Sequence, residues 1–234
     1  MQIQNKVTIA KPLQHHVFSA LLMGLAASLI QFAAPAAFAA GPFYWDNVAG
    51  VGFGTAGGTW SSSGNTGIPG WNTDSTGTAA PGSVSTATTD TSENFGTATA
   101  GLTVGAVTVS GAVSAGPIIF GAASGAVTLS GGTSITLPAA ATITINNASN
   151  TISTPLAGAA TSLTVNGGGK LQLTGVNTYT GETIFGANTI INVTNLTTYA
   201  GEASGGPLGA RTAAQDGSGG AGSIGPLYFL PAAG

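Results

Sequence analysis

VTLSGGTSITLPAAATITI, residues 127–145, alternates apolar with small polar side chains, and this stretch decides the fold of the 234-residue chain. Its apolar pairs begin eight residues apart, and each pair encloses a threonine: Val127/Leu129, Ile135/Leu137 and Ile143/Ile145. Alternation with a period of two puts successive side chains on opposite faces of a β-strand. Glycine, proline or asparagine follows each pair and ends the strand. The stretch therefore predicts short strands, each with one buried face.

The same alternation extends on both sides, from residue 102 to residue 193. Further apolar pairs are Leu102/Val104, Val107/Val109, Ile118/Phe120, Leu163/Val165 and Leu171/Leu173. Short strands at this spacing are compatible with a sandwich, a barrel or a β-solenoid. Strands of about four residues are short for a sandwich, and repeated threonines suit ladders of like residues on stacked rungs. We therefore predict an all-β chain, a β-solenoid of Thr- and Gly-rich strands in which three strands make a coil of about 24 residues.

The composition supports strands and argues against several kinds of site. Charged residues make up 5% of the chain, and 38 residues are glycine. Gly, Thr, Val and Asn have low helical propensity, whereas β-branched residues favour strands. Beyond residue 39 only Lys170 and Arg211 are basic, so the chain lacks the basic surface that binds nucleic acid. The chain has no cysteine, which excludes disulfide bonds and thiolate metal sites.

Residues 1–39 have the pattern of a signal peptide. Lys6 and Lys11 precede an apolar run, VFSALLMGLAASLI, at residues 17–30. The AFA sequence that ends at Ala39 fits a small-residue cleavage site, so we predict a cut after Ala39 and export of the mature chain to the cell surface or the medium. A transmembrane anchor is the alternative, but a glutamine and a proline interrupt the apolar run.

The mature chain divides into three segments by composition. Residues 40–97 are loop-rich and contain all three tryptophans, so we predict an irregular N-terminal cap segment with a few short strands. Residues 98–200 carry the alternating pattern and form the predicted solenoid. Residues 201–234 are rich in glycine and contain a short apolar run near their end, which predicts a truncated solenoid and an incomplete chain.

One stretch within the predicted solenoid contains a denser motif. Residues 167–193 read GGGKLQLTGVNTYTGETIFGANTIINV. This stretch resembles one copy of the autotransporter-associated β-strand repeat, also called the passenger-associated transport repeat. The matching residues are Gly169, Leu171, Leu173, Thr174, Gly175, Asn177, Thr178, Tyr179, Thr180, Gly181, Thr183 and Ile184.

The residue types in this motif are those of a corner between two strands. Leu171 and Leu173 alternate with polar residues and are expected to point into the core. Gly175 and Gly181 are expected at positions of positive φ, which glycine adopts without steric cost. Asn177 is expected to close a turn with its own side chain. Tyr179 is expected to cover the turn, with its hydroxyl group at the surface.

The resemblance implies a passenger segment of an autotransporter. Such a segment is a right-handed parallel β-helix outside the outer membrane, with a role in secretion and folding of a larger surface protein. The resemblance also implies an outer-membrane translocator as a partner. This sequence lacks the series of amphipathic strands of about ten residues that a translocator needs. We therefore expect the translocator outside this chain, which is then a fragment or reaches the surface by another route.

No catalytic or metal-binding pattern is evident in the predicted mature chain. Both histidines, His15 and His16, precede the predicted cleavage site, so no imidazole base or ligand remains. Asp90 and Glu93 are the only acids within four residues of each other, and their Thr/Ser-rich surroundings predict solvated loop charges rather than the paired carboxylates of a glycosidase. Calcium binding by Asp74, Asp90 or Glu93 is an alternative, but the sequence contains no recognisable calcium-binding loop. We predict no enzymatic activity and no cofactor.

The three tryptophans, Trp45, Trp60 and Trp71, have two interpretations. Together with Phe43 and Tyr44 they plug the end of the solenoid, whose first coil needs a cap, or they form a platform on which a carbohydrate stacks. The first interpretation fits a secreted structural protein, a stalk or adhesin that contacts a surface glycan or a host or neighbouring cell. The second interpretation fits a secreted carbohydrate-binding module.

Overall fold

A computed structural model describes residues 40–65, 68–82, 84–159, 161–193, 205–210 and 228–229 of the chain. These residues form strands and loops, and among them there is no helix of the length and hydropathy needed to cross a membrane. The predicted signal peptide and most of the Gly-rich segment from residue 201 lie outside the described residues. The strands are β1 Phe43–Asp46, β2 Thr59–Ser61, β3 Gly70–Asn72, β4 Glu93–Phe95, β5 Gly105–Ser110, β6 Ala112–Ser114, β7 Ile118–Phe120, β8 Val127–Gly131, β9 Ser134–Thr136, β10 Ala140–Ile145, β11 Ser149–Ile152, β12 Leu156–Ala157, β13 Ser162–Asn166, β14 Lys170–Leu173, β15 Thr183–Phe185, β16 Ile190–Val193 and β17 Tyr228–Phe229.

These strands wind into a parallel β-solenoid built from three sheets. An eight-stranded sheet has the order β3-β1-β4-β7-β10-β13-β15-β17, a six-stranded sheet the order β2-β5-β8-β11-β14-β16, and a three-stranded sheet the order β6-β9-β12. The chain visits the three sheets in turn, as in β7, β8 and β9, and returns to the first sheet one rung further on. Neighbouring strands are parallel, except that β3 pairs with β1 in the antiparallel direction. The predicted β-solenoid is confirmed, and the sandwich and barrel alternatives are wrong.

The length of a coil can be read from the residues that pair across neighbouring rungs. In the six-stranded sheet Leu129 pairs with Val107 on one side and with Ile152 on the other. In the eight-stranded sheet Phe95 pairs with Phe120. The predicted coil of about 24 residues agrees with these separations along the chain. The six-stranded sheet corresponds to about five turns.

Alternation along each strand separates a dry interior from a polar exterior. Ile143 in β10 and Val165 in β13 are adjacent in register, and neither has any exposed surface. Full burial of such a side chain contributes roughly 1.5–3 kcal/mol. On the outside, Thr128 and Thr151 are adjacent in register, on rungs about 4.8 Å apart. The solenoid therefore consists of columns of side chains, which are apolar in the interior and carry hydroxyl groups on the outer surface.

Buried asparagines hold one corner between two sheets. The Asn150 side chain accepts a hydrogen bond at Oδ1 from the backbone N–H of Val127, at 3.0 Å. The Asn147 side chain donates from Nδ2 to the backbone oxygen of Gly125, at 2.8 Å. Both partners belong to the preceding coil, 23 and 22 residues earlier. Because buried backbone groups need hydrogen-bond partners, these side-chain amides provide them where the β-ladder is interrupted.

Candidate functional site

The repeat motif at residues 167–193 forms about one turn of the solenoid. It contains β14, the following corner, β15 and β16. Leu171 and Leu173 in β14 are fully buried, in agreement with the alternation. The smaller motif residues lie at the corner and in β15: Thr178 is exposed, while Thr174, Thr180 and Ile184 are half-buried.

The motif glycines are required by close contact between coils and not by positive φ. The prediction of positive φ at Gly175 and Gly181 is wrong, because neither residue is in the left-handed region. A Cβ atom on Gly181 would lie only 2.0 Å from the backbone oxygen of Thr161. A Cβ atom on Gly169 would lie 2.0 Å from the backbone oxygen of Asn147. A side chain at either position would force neighbouring coils apart.

Asn177 links different parts of the solenoid, so the predicted local turn is wrong. Its side chain is buried. Oδ1 accepts a hydrogen bond from the backbone N–H of Leu156, 21 residues earlier, at 2.8 Å. Nδ2 donates to the backbone oxygen of Pro207, 30 residues later, at 2.6 Å. Leaving a buried backbone group without a partner costs about 1–3 kcal/mol, so this one amide stabilises contacts on both sides of its corner.

Tyr179 lies inside the corner, and the predicted exposure of its hydroxyl group is wrong. The residue has no exposed surface. Its hydroxyl oxygen is 2.7 Å from Thr183 Oγ1, and Thr183 Oγ1 donates in turn to the backbone oxygen of Leu208 at 3.3 Å. A buried phenol is stable when its polar tip has such a partner. The motif threonine at 183 provides that partner.

The three tryptophans form the first layers of the core. Trp45, Trp60 and Trp71 have no exposed surface. Trp71 meets each of the other two edge-on, with ring centroids 5.1 Å apart in both pairs. Phe95 continues the cluster at 5.6 Å from Trp71. A ring that stacks on a sugar needs an exposed face, and none of these three rings has one.

Asp90 and Glu93 are buried, so the prediction of solvated loop charges is wrong. Glu93 in β4 is in register with Phe43 in β1 and Ile118 in β7. Glu93 has no exposed surface, and Asp90 is 5% exposed. No N–H or O–H of the described residues makes a hydrogen bond of good geometry to either Glu93 carboxyl oxygen. The Asp90 carboxyl adjoins this group.

Burial and the adjoining Asp90 carboxyl raise the pKa of Glu93 to about 9, partly offset by the backbone N–H of Gly116. Glu93 is therefore protonated at neutral pH and can donate a hydrogen bond to Asp90. Asp46 is a third buried acid. Burial raises its pKa, while the backbone N–H of Val48 counteracts the increase by donating to Oδ1 at 3.0 Å. These acids are parts of the interior.

Asp74 is half-buried, and its own loop occupies its carboxylate. The oxygens accept hydrogen bonds from the backbone N–H groups of Thr76, Thr78 and Ala79 at 2.8–2.9 Å. The bond from Thr76 is the largest of the interactions that lower the pKa of Asp74. Within the described ranges, no three His, Cys, Asp or Glu side chains come together in a group that could hold a metal ion. The three acids considered for calcium thus do not form one group, although Asp90 and Glu93 adjoin each other.

An open groove of about 520 Å³ lies on the outer face of the eight-stranded sheet. Tyr44, Asn94 and Ile119 occupy matched outward positions on the successive strands β1, β4 and β7. The loops after β4 and β7 contribute Thr97 and Ala122 to the lining. Sequence reasoning missed the groove because these residues are far apart in the chain and belong to no motif. The register of the three strands brings them together.

Together these features define a parallel β-solenoid protein with a buried aromatic cluster and an outer groove. Comparison of the chain with protein-family models, with curated proteins and with solved structures found no match. The residues and their geometry are therefore the basis for assigning a function.

Proposed function

We propose that this chain is a secreted structural protein of the cell surface, an autotransporter-like passenger segment that serves as a stalk or adhesin. The observation that carries the proposal is the in-register stacking of parallel rungs through six strands of one sheet. In a solenoid each rung contacts its neighbours, so the length of the body grows with the number of rungs. A stalk needs such a body, which extends by addition of similar units.

The mechanism is mechanical. Backbone hydrogen bonds join the rungs, and the apolar columns, such as Ile143 beside Val165, hold them without water between them. Outside, Thr128, Thr151 and Gln172 follow one another in register and present uncharged polar groups. Such a surface offers hydrogen bonds at regular intervals and does not strongly attract dissolved ions. These properties suit passive contact with other surfaces.

Two further observations support a passenger segment without catalytic activity. The motif that resembles the passenger-associated repeat makes a complete corner, with Asn177 and Tyr179 buried in it. The acid pair Asp90 and Glu93 lies in the interior, where a substrate has no access. A glycosidase needs its two carboxyl groups on either side of a bound sugar. The arrangement favours a structural role over hydrolysis.

Surface display tests the proposal. Intact cells of the source organism are labelled with an antibody against the mature chain and treated with a protease that does not enter cells. We expect labelling, cleavage and a mature N-terminus at Ala40. A chain that stays inside intact cells with residues 1–39 attached would contradict the proposal.

A matched pair of glycine variants tests whether rung stacking is needed for display. Gly181→Ala places a Cβ atom 2.0 Å from the backbone oxygen of Thr161, whereas a Cβ atom on Gly168 meets nothing within 4 Å. We expect Gly181→Ala to lower the amount of displayed chain and Gly168→Ala to leave it unchanged. Equal display of both variants would argue against a role for the stacked rungs.

A further inference from the structure

The groove on the eight-stranded sheet crosses a regular column of side chains. Tyr44, Asn94, Ile119 and Thr144 follow one another in register on β1, β4, β7 and β10. Adjacent strands in a sheet lie about 4.8 Å apart, so the column repeats at that interval. Tyr44, Asn94 and Ile119 line the groove directly, together with exposed Asn146 after β10. A ligand in the groove therefore meets several rungs at once.

The wall of the groove is a pair of tightly joined loops. The backbone N–H of Ala123 donates to the oxygen of Thr97 at 3.0 Å, which links the loop after β7 to the loop after β4. Buried Ser124 strengthens this link, because its hydroxyl donates to the backbone oxygen of Phe95 at 2.8 Å. A Cβ atom on Gly121 would lie 2.4 Å from the backbone carbonyl carbon of Gly96, which shows how closely the two backbones approach. The groove is thus formed before any ligand arrives.

The chemistry of the lining is neutral. The lining residues are Tyr44, Asn94, Gly96, Thr97, Ala98, Ile119, Gly121, Ala122 and Asn146, and none is an acid or a base. The side chain of Asn94 donates from Nδ2 to the backbone oxygen of Phe43 at 2.9 Å and to Ser92 Oγ at 2.8 Å. No hydrogen bond in the described part of the chain uses Asn94 Oδ1. This oxygen can accept a hydrogen bond from a ligand, and the exposed amide of Asn146 can both donate and accept.

An aromatic ring stands at one end of the same column. Tyr44 is half-buried, and Phe53 stacks against it with ring centroids 6.0 Å apart and an angle of 16° between the planes. This contact fixes the plane of the Tyr44 ring beside the groove. Recognition sites commonly combine an apolar or aromatic surface with a few well-placed polar groups. Here the aromatic group is combined with amides and a hydroxyl, and without charge.

We propose that this groove binds a neutral glycan. Sugar hydroxyl groups match the amides of Asn94 and Asn146, and the apolar face of a sugar ring matches Tyr44. A phosphate or carboxylate ligand would find no basic partner among the lining residues. The proposal names a ligand class for the adhesin role and rests on the proposed function. It differs from the tryptophan platform because its ring is partly accessible.

The test uses the full secreted chain on an array of neutral oligosaccharides, with sulfated and uronic-acid oligosaccharides as the charged comparison. The variant Ala122→Arg fills the groove from an exposed position in its lining. Its matched control is Ala106→Arg, at an exposed alanine of β5 on the six-stranded sheet. We expect wild type and Ala106→Arg to bind the same neutral glycans. Binding by Ala122→Arg and by Asn146→Ala should be at least about tenfold weaker.

Three results would overturn the glycan proposal: no neutral glycan bound by wild type, stronger binding of charged than of neutral glycans, or unchanged binding by Ala122→Arg. Circular dichroism of each variant confirms that the fold is intact. Surface display is measured separately. A displayed chain that binds no glycan refutes only the proposal that the groove binds glycans, whereas a chain that is not displayed refutes the proposed function.

Discussion

The carboxyl groups of Glu93 and Asp90 adjoin each other in the interior of the protein, between the first turns of the solenoid. Two adjoining carboxylates repel each other, and a single proton between them removes the repulsion. Asp90 is tied to its own loop, because Oδ2 accepts a hydrogen bond from the backbone N–H of Ala87 at 2.6 Å. The protonated Glu93 carboxyl can therefore link strand β4 to the preceding loop through a hydrogen bond to Asp90.

We expect the stability of the protein to fall as the pH rises from 5 to 9. The pKa of Glu93 is raised from 4.5 to about 9, so between these values the unfolded chain loses a proton that the native chain keeps. The stabilising contribution is complete below about pH 4.5 and is lost as pH rises through about 9, at up to about 1.4 kcal/mol per pH unit. Urea unfolding at several pH values measures this slope.

The control for this prediction is Glu93→Gln, which keeps the size of the side chain and removes its titration. We expect the stability of this variant to depend much less on pH over the same interval. The two proteins differ only at position 93, so the titration of every other group is common to both. An identical slope for both proteins would show that Glu93 is not the titrating group.

Replacing Gly169 with alanine should destabilise the solenoid strongly. The new Cβ atom would lie 2.0 Å from the backbone oxygen of Asn147, a contact with backbone that cannot move aside easily. We expect a loss of about 2–4 kcal/mol, in the range of severe overpacking. The neighbouring Gly168→Ala is the control, because its Cβ atom meets nothing within 4 Å. Chemical denaturation of both variants measures the difference, and equal stability would contradict the coil contact.

Asn177→Ala should lower the free energy of unfolding by about 1–3 kcal/mol, because it leaves the Leu156 N–H and the Pro207 oxygen without their partner. Asn192→Ala is the control, because Asn192 is exposed on β16. We expect this control to change stability by less than about 0.5 kcal/mol. The same denaturation curves serve as the measurement. If Asn177→Ala left the free energy of unfolding unchanged, water would be replacing the amide at no cost.

The tryptophans should be inaccessible to dissolved quenchers. Trp45, Trp60 and Trp71 have no exposed surface, so iodide should leave their fluorescence nearly unchanged in the native protein and quench it after unfolding. Trp71→Ala should cost about 3–5 kcal/mol, because it removes the ring that joins the other two. Native fluorescence as sensitive to iodide as that of the unfolded chain would contradict the buried cluster.

Local alternation predicted the strands, and their short length and repeated threonines favoured a solenoid over a sandwich or a barrel. Pairs such as Val127/Leu129 and Ile143/Ile145 are completely buried, because a period of two and frequent turns leave a short strand one way to hide its apolar face. The spacing of the pairs predicted the coil length for the same reason. The predicted roles of Gly181 and Asn177 were wrong, because contacts with other coils decide them. The hydroxyl group of Tyr179 was expected at the surface, but it bonds to Thr183 inside the corner.

The burial of Glu93 and the formation of the groove also depend on the register between strands that are distant in sequence. Glu93 precedes Phe95 by two residues, so the alternation was present in the sequence, but an acid in a Thr/Ser-rich stretch favoured a loop. Its burial is determined by pairing with Phe43 and Ile118, which are both distant from it along the chain. Tyr44 and Asn94 likewise become neighbours only through the pairing of β1 with β4. No local pattern contains that information.

The interior changes from aromatic to aliphatic along one column, from Phe95 through Phe120, which stacks on it at 5.3 Å, to Ile145. The rungs also become shorter in the same direction, because fewer residues separate Val165 from its partner Phe185 than separate Phe95 from Phe120. Rungs at the two ends are therefore not interchangeable modules. Duplication or deletion of a rung by recombination should be tolerated among the middle turns, whose buried side chains are aliphatic. The same event near the tryptophans would join cross-sections of unequal size and leave voids or clashes.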